Sequence, residues 1–254
     1  MQVKICGITN SEDARAAVDA GADAIGLIFY QGSKRCIDER RAAEIVDQLP
    51  PYTSINALFV NPTEAEVRKV LSTVAVSQIQ FHGEESSAFC EQFDRPYVKS
   101  IPVVDAARMK ALIADHANAR AYLFDTHVPG EHGGTGKTFD WTKMPEKNIG
   151  HRILAGGLDT ENVAKAIRIA RPDAVDVSSG VETQPGIKNH ETLERFIAAA
   201  KLAGRDLALL RFILTLIFTH RCRMSTGALV FTVVSLLLRH SCLRWPSWRI
   251  CITI

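Results

Sequence analysis

The first 204 residues of this 254-residue chain predict a single α/β domain, a (β/α)8 TIM barrel. Short apolar segments of strand length alternate along this region with segments of amphipathic helical pattern. Strands that are apolar along their whole length are buried on both faces, which indicates a parallel sheet covered by helices. Eight such units in about 200 residues fit a closed barrel, and their number also fits an open doubly wound sheet.

The eight predicted strands are short, mostly apolar runs bounded by Gly, Pro or polar residues. They comprise residues 3–6, 24–29, 55–60, 77–81, 97–101, 122–125, 152–155 and 174–177.

Helix starts are predicted where a capping residue precedes an apolar helical face. Residues 9–12 form a capping-box pattern ahead of the first helix, and Asp38 can cap the second, which the prolines at 50 and 51 end. Asn61 supplies an N-cap for the third helix, with Pro62 at the first helical position. The other helices are predicted at residues 86–93, 105–116, 160–170 and 190–201.

Residues 126–150 show no helical period and are rich in Gly, Lys and Thr, so they predict a long loop. Within it, residues 130–138 look like a nucleotide-binding P-loop, but Glu131 stands where that motif needs Gly, and no amphipathic helix follows. We therefore expect no nucleoside triphosphate site. A mobile active-site loop is the better interpretation, with Gly134 as a possible pocket residue.

The last 50 residues differ from the rest of the chain. Residues 205–254 carry seven Arg, no Lys and one acidic residue, a net charge of +6, against −4 for residues 1–204. Their apolar segments, 207–219 and 227–238, are shorter than the ~20 residues that span a bilayer. We interpret this tail as extraneous to the domain, as a frameshift would give, and poorly ordered. A basic amphipathic membrane anchor is the alternative.

Composition excludes several classes of function. A net charge of only +2 gives no electrostatic case for nucleic acid. Neither Cys-x-x-Cys nor His-Glu-x-x-His occurs, so we expect no metal site of those kinds. The N-terminus lacks the long apolar run of a signal peptide, which favours a reducing cytoplasm. We expect no membrane association for residues 1–204.

Barrel enzymes place their functional groups at the carboxyl ends of the strands, and this rule selects candidates. Cys6 ends the first strand and Asp125 the sixth. A thiolate at Cys6 could act as a base or nucleophile if its pKa were lowered, although a lone Cys is most often a small buried hydrophobe. Asp125 could instead cap a turn.

Further candidates follow the second and fourth strands. Arg35 is either solvated or a bidentate ligand for a substrate carboxylate. Gln80 and His82 are possible pocket residues, and a structural histidine bonded to backbone fits His82 at least as well.

The loops after strands seven and eight predict a phosphate site. Gly156 and Gly157 precede a predicted helix start at residues 159–161, where free N–H groups favour an anion. Ser178, Ser179 and Gly180 add hydroxyl donors and a second close backbone. Tight turns alone could explain either loop, but both together in one barrel favour phosphate binding.

In six separated blocks the sequence closely resembles the phosphoribosylanthranilate isomerase family. These blocks are KICGIT at 4–9, GADAIG at 21–26, QFHGE at 80–84, GGTGKTFDW at 133–141, LAGGL at 154–158 and VDVSSGVE at 175–182. The resemblance runs from residue 2 to about residue 201 and leaves the tail without a counterpart. Two departures are Lys34, where relatives commonly have Pro before the Arg, and Phe81, where Leu is common.

The resemblance implies an enzyme of tryptophan biosynthesis. Its reaction converts N-(5′-phosphoribosyl)anthranilate to 1-(2-carboxyphenylamino)-1-deoxyribulose 5-phosphate by an Amadori rearrangement that needs no metal or cofactor. By motif, Cys6 is the general base, Asp125 the general acid and Arg35 the ligand of the anthranilate carboxylate. The implied partner is thus a small phosphosugar, and the implied protein is a monomer or homodimer.

Two other hypotheses stay open on the residues alone. The related isomerase of histidine biosynthesis pairs two Asp residues, so Cys6 argues against it. A catalytically idle phosphate-binding barrel, or a protein tethered to a membrane through its tail, is the alternative from another class.

Overall fold

The computed structural model describes residues 1–126, 138–145 and 149–221, and for residues 210, 211 and 213–221 it describes the backbone alone. The chain divides into two units, Met1–Leu207 and Ala208–Ile254. Of the second unit, residues 208–221 are described, and they are helical. The candidate Gly134 and most of the glycine-rich segment around it lie outside the described residues.

Eight parallel strands close into a barrel in chain order, with β1 paired to β8. The strands are β1 Gln2–Cys6, β2 Ala24–Ile28, β3 Ser54–Phe59, β4 Gln78–Phe81, β5 Tyr97–Val103, β6 Ala121–Thr126, β7 His151–Leu154 and β8 Ala174–Val177. Closure confirms the predicted barrel, and the alternative of an open sheet is wrong. In the closing pair, Lys4 lies opposite Asp176.

In the part of the chain that the structure describes, six α-helices connect the strands and a seventh follows the last strand. They are α1 Ser11–Asp19, α2 Glu39–Val46, α3 Glu64–Thr73, α4 Ser87–Glu91, α5 Ala106–Asp115, α6 Val163–Ala170 and α7 His190–Arg221. Short 3-10 helices form at Trp141–Lys143 and Ser179–Val181. A small antiparallel hairpin, β9 Glu182–Gln184 and β10 Ile187–Lys188, lies between β8 and α7.

Two predicted helix starts are wrong in position. Asn10 caps α1, accepting a hydrogen bond from the Asp13 N–H, so the cap lies one residue after Thr9, the first residue of the predicted box. Thr63 caps α3 in a capping box with Glu66. Asn61 does not cap that helix because its side-chain oxygen accepts from the Glu84 N–H, at 2.7 Å, in the loop after β4.

Two other helix boundaries also differ from prediction. Helix α6 begins at Val163, three residues later than predicted, because residues 160–162 form a turn. Helix α7 continues to Arg221 instead of ending near residue 201. No Pro interrupts residues 202–221, and Leu and Ala are frequent there, so local propensity sustains the helix.

The apolar core has two parts. A large cluster fills the space between the strands and the surrounding helices, and it includes the fully buried Phe59, Phe81 and Phe124. Smaller clusters are formed by side chains of the alternate strand positions, such as Leu58 and Leu123. Successive side chains of a strand point alternately toward the helices and toward the barrel interior. The positions that share the side of these smaller clusters also carry polar groups, and the candidate site forms among them.

Candidate active site

A cavity lies at the carboxyl ends of the strands, and nine of the predicted site residues line it. These nine are Cys6, Arg35, Gln80, His82, Asp125, Gly156, Gly157, Ser178 and Ser179. The lining also contains residues that the sequence analysis did not select: Ile28, Tyr30, Ser33, Leu58, Val60, Ala155, Leu158, Asp176 and Val177. Gly180 is not among the lining residues; it packs against the Leu158 carbonyl.

Cys6 is the last residue of β1, and the residue is only 5% exposed. It fits because Gly26 lies beside it on β2, where a Cβ would come within 2.7 Å of the sulfur. Burial raises the pKa of Cys6 above the ordinary thiol value, Asp176 raises it further, and the cations Lys4 and Lys188 partly oppose both. The condition of a lowered pKa, under which the thiolate would form most readily, is therefore not met, because the thiol is removed from water.

A buried ion pair lies next to this thiol. The Nζ of Lys4 is 2.9 Å from the Oδ1 of Asp176, and both side chains are almost inaccessible to solvent. Burial alone would lower the pKa of Lys4, but Asp176 and Cys6 together raise it. The sequence carries a signal for this pair, since each residue interrupts an otherwise apolar predicted strand, and a charge in such a place needs a partner.

Asp125 is the penultimate residue of β6, and its carboxylate makes two contacts. Its Oδ1 accepts from the Thr126 N–H at 2.7 Å, and its Oδ2 lies 3.4 Å from the Nε2 of His82. Gly156 makes room for this arrangement, because a Cβ there would lie 2.8 Å from the carboxylate. Asp125 thus lines the cavity, and its bond to the Thr126 N–H lies within the strand.

His82 is held by side chains rather than by backbone among the described residues. Its Nδ1 is 3.2 Å from the Nε2 of Gln80, and its Nε2 is 3.4 Å from the Oγ of Ser100. The imidazole therefore connects side chains of β4, β5 and β6 around the cavity, and its contact with Asp125 places it beside the candidate acid.

Arg35 is not solvated, so that part of the prediction is wrong. Its guanidinium donates to both carboxylate oxygens of Glu182, with Nε–Oε1 at 2.8 Å and Nη2–Oε2 at 2.6 Å. Its stem passes over Gly7, where a Cβ would meet the Arg35 Cδ at 2.5 Å and the Ser178 Oγ at 2.9 Å. Gly7 adopts a φ of +73°, which glycine tolerates best.

The two loops predicted to bind phosphate meet at one side of the cavity. Within the described part of the chain, the backbone N–H groups of Gly157, Ser179 and Gly180 donate to no other residue. The Ser178 hydroxyl is also buried without a hydrogen-bond partner there. Gly180 keeps the loops together, because a Cβ at this position would overlap the Leu158 carbonyl.

The expected helix N-terminus is not directly behind the glycine pair. Because α6 begins at Val163, the 3-10 helix Ser179–Val181, which follows β8 directly, is the helical start nearest to the candidate phosphate site in sequence. Among the residues that the structure describes, no cluster of His, Cys, Asp and Glu could hold a metal ion. No described helix is both long enough and apolar enough to cross a membrane.

Comparison with protein families decides the membership of the chain. A model described as N-(5'phosphoribosyl)anthranilate (PRA) isomerase matches residues 3–199. The chain belongs to the PRA isomerase family. As a family member it is an isomerase of tryptophan biosynthesis that carries out an aldose–ketose Amadori rearrangement.

Curated relatives and solved structures agree on this family. The chain is 49% identical over 205 residues to the N-(5'-phosphoribosyl)anthranilate isomerase of Neisseria meningitidis serogroup C, covering 81% of this chain and 99% of the relative. The Acidithiobacillus ferrooxidans isomerase is 48% identical over 202 residues, covering 79% and 98%. The PRA isomerase structure from Thermotoga maritima superposes with a TM-score of 0.74 at 40% identity, covering 79% and 98%.

A further solved PRA isomerase is described as a complex with reduced 1-(o-carboxyphenylamino)-1-deoxyribulose 5-phosphate. It is 38% identical, has a TM-score of 0.71 and covers 79% of this chain and 98% of that one. The family match ends at residue 199, so residues 205–254 lie beyond it.

Proposed function

We propose that Cys6 is the general base and Asp125 the general acid in the rearrangement of N-(5′-phosphoribosyl)anthranilate. The single observation that carries this proposal is that both side chains line one cavity, together with Arg35 and both candidate phosphate loops. The resemblance to the family assigns the same two residues. A bound phosphosugar in the related solved complex supports a phosphosugar as the ligand of this cavity.

The reaction begins with two catalysed proton transfers and ends with a tautomerisation. Asp125 donates a proton to the ribose ring oxygen as the C1′–O bond breaks, and the nitrogen lone pair forms a protonated imine. The imine acidifies the C2′ proton, which the Cys6 thiolate removes to give an enolamine. The enol oxygen then loses its proton and C1′ gains one, which yields the ketone with no net change in atoms or electrons.

Substrate binding would use the two ends of the cavity. The phosphate would be held by the free N–H groups of Gly157, Ser179 and Gly180, with Gly156 and the Ser178 hydroxyl beside them. The anthranilate carboxylate would bind Arg35. These remote contacts would fix the ribose between the acid and the base, so that binding energy is used for orientation.

Three substitutions test the assignment. Cys6→Ala and Asp125→Ala should each lower kcat by roughly 10²–10⁴, the usual contribution of one positioned acid or base, while the circular dichroism spectrum stays native. Cys90→Ala is the matched control, since this buried thiol lies in the outer core and does not line the cavity. Near-native turnover of either site variant would disprove its assigned role.

The domain boundary and the cellular setting are also part of the proposal. We place the enzyme in the cytoplasm, as a monomer or homodimer, and assign catalysis to residues 1–204 with residues 205–254 dispensable. Consumption of the fluorescent substrate by the purified chain with and without residues 205–254 tests this directly. Equal activity supports it, whereas activity that depends on the tail contradicts it and favours a role for the tail in function.

A further inference from the structure

The contact between Arg35 and Glu182 uses one particular edge of the guanidinium. An arginine has five N–H donors in a planar fork and can bind a carboxylate along either of two edges. Glu182 occupies the edge formed by Nε and Nη2. Among the described residues nothing is bonded to Nη1, so the outer edge, formed by Nη1 and the second N–H of Nη2, is the edge available to a ligand.

Glu182 is itself fixed by further contacts. Its side chain is 4% exposed, and besides Arg35 its Oε1 accepts from the Nζ of Lys188 at 2.8 Å and from the Gly186 N–H at 3.3 Å. Although burial alone would raise the pKa of Glu182, Arg35 and Lys188 hold it below the usual range. The group is therefore a charged carboxylate with both oxygens engaged.

Lys188 ties this carboxylate to the rest of the cavity. Its Nζ donates to the Cys6 carbonyl at 2.6 Å and contacts the Ser178 carbonyl at 3.3 Å. Glu182 and Lys188 thus connect Arg35 to two parts of the cavity. One is the strand that carries the candidate base, and the other is the loop that carries part of the candidate phosphate site.

We propose that Glu182 is a positioning residue that holds Arg35 with its outer edge toward the substrate carboxylate, and so makes the enzyme selective for carboxylated N-aryl phosphoribosylamines. The inference rests on the proposed function, because it takes Arg35 as the ligand of that carboxylate. Without Glu182 the long Arg35 side chain would become ordered only when the substrate binds. The entropy lost in that step would lower the affinity for the substrate. A purely structural role for Glu182 would affect all substrates alike.

The test compares two substrates on the same set of variants. One is N-(5′-phosphoribosyl)anthranilate, and the other is the N-(5′-phosphoribosyl) adduct of aniline, which lacks the carboxylate. The selectivity is the ratio of their kcat/KM values, measured from product formation by chromatography. Because the ratio is taken within one variant, partial misfolding cancels from it.

Glu182→Gln should lower the selectivity by about tenfold or more, the scale of one charge-assisted hydrogen bond. The loss should fall on KM for the anthranilate substrate, with kcat and the aniline reaction nearly unchanged. Glu182→Asp keeps the charge beside Lys188 but is too short to hold both N–H groups of Arg35, so it should lower selectivity too. Glu161→Gln, at an exposed carboxylate, is the matched control.

The outcomes separate this inference from the proposed function. If Arg35→Met lowers the selectivity but both Glu182 variants leave it unchanged or raise it, only the role of Glu182 is refuted. An equal loss with both substrates in the Glu182 variants also refutes it, since the residue would then be structural. If Arg35→Met itself leaves the selectivity unchanged, the carboxylate binds elsewhere, and both the assignment of Arg35 and the role of Glu182 fail.

Discussion

Removing the cation of the buried Lys99–Glu85 pair should destabilise the domain strongly. The two side chains are 3% and 2% exposed, with Nζ and Oε2 2.6 Å apart, and Lys99 also donates to the Gly83 carbonyl at 2.7 Å. In Lys99→Met the partners left to the Glu85 carboxylate among the described residues are the Asn61 and Gly83 N–H groups, at 2.8 and 3.0 Å. Breaking a buried pair in this way costs about 3–5 kcal/mol.

That loss of stability should produce a large fall in the melting temperature. At about 2–4 °C per kcal/mol for a domain of this size, the melting temperature should fall by roughly 6–20 °C. Differential scanning calorimetry of the full chain measures it. Lys69→Met is the matched control, because Lys69 is also 2.6 Å from a glutamate but is 67% exposed, and surface pairs contribute little.

A double variant isolates the physical cause. Lys99→Met combined with Glu85→Gln leaves no unpaired charge, and the amide oxygen can still accept from Asn61 and Gly83, so most of the lost stability should return. The reasoning is refuted if Lys99→Met shifts the melting temperature no more than Lys69→Met does. It is also refuted if the double variant is no more stable than Lys99→Met.

Three further predictions concern the site. The kcat/KM should increase as the pH is raised above neutrality, because the thiolate of Cys6 is the active form and burial raises its pKa; a flat pH–rate profile contradicts this. Lys4→Met should move that rise to higher pH, since Lys4 opposes the raised pKa, and an unmoved profile would exclude its influence. Gly180→Ala should raise KM by about tenfold in steady-state assays, because a Cβ there overlaps the Leu158 carbonyl and separates the phosphate loops; an unchanged KM contradicts that geometry.

The strands could be predicted well and the helix starts less well, for a physical reason. A buried parallel strand is mostly apolar, so its bounds follow closely from composition, and β8 at Ala174–Val177 agrees with the prediction at both ends. A helix cap depends on which of several polar residues turns its side chain toward the helix. Asn61 had the right chemistry to cap α3, but a contact with the Glu84 N–H, 23 residues away, takes that side chain.

Half of the residues that line the cavity could be predicted from the strand-end rule, but the contacts that organise them could not. Arg35 and Glu182 are 147 positions apart in sequence, and Lys188 and the Cys6 carbonyl are 182 apart. Glu182 and Lys188 lie on a hairpin of two very short strands, which carries no periodic pattern. Such pairings exist only because the barrel closes, and no local pattern encodes them.

Closure of the barrel therefore assembles the site as well as the fold. The pairing of β1 with β8 brings Lys4 and Cys6 beside Asp176, and the hairpin after β8 supplies Lys188 to the Cys6 carbonyl. The candidate base and half of the candidate phosphate site thus belong to the first and last strands. The candidate acid, on β6, is held by its contacts with His82 and Thr126, which do not involve the pairing of β1 with β8. A perturbation that weakens the pairing of β1 with β8 should consequently displace Cys6 and the phosphate loop after β8 together, while leaving Asp125 in place.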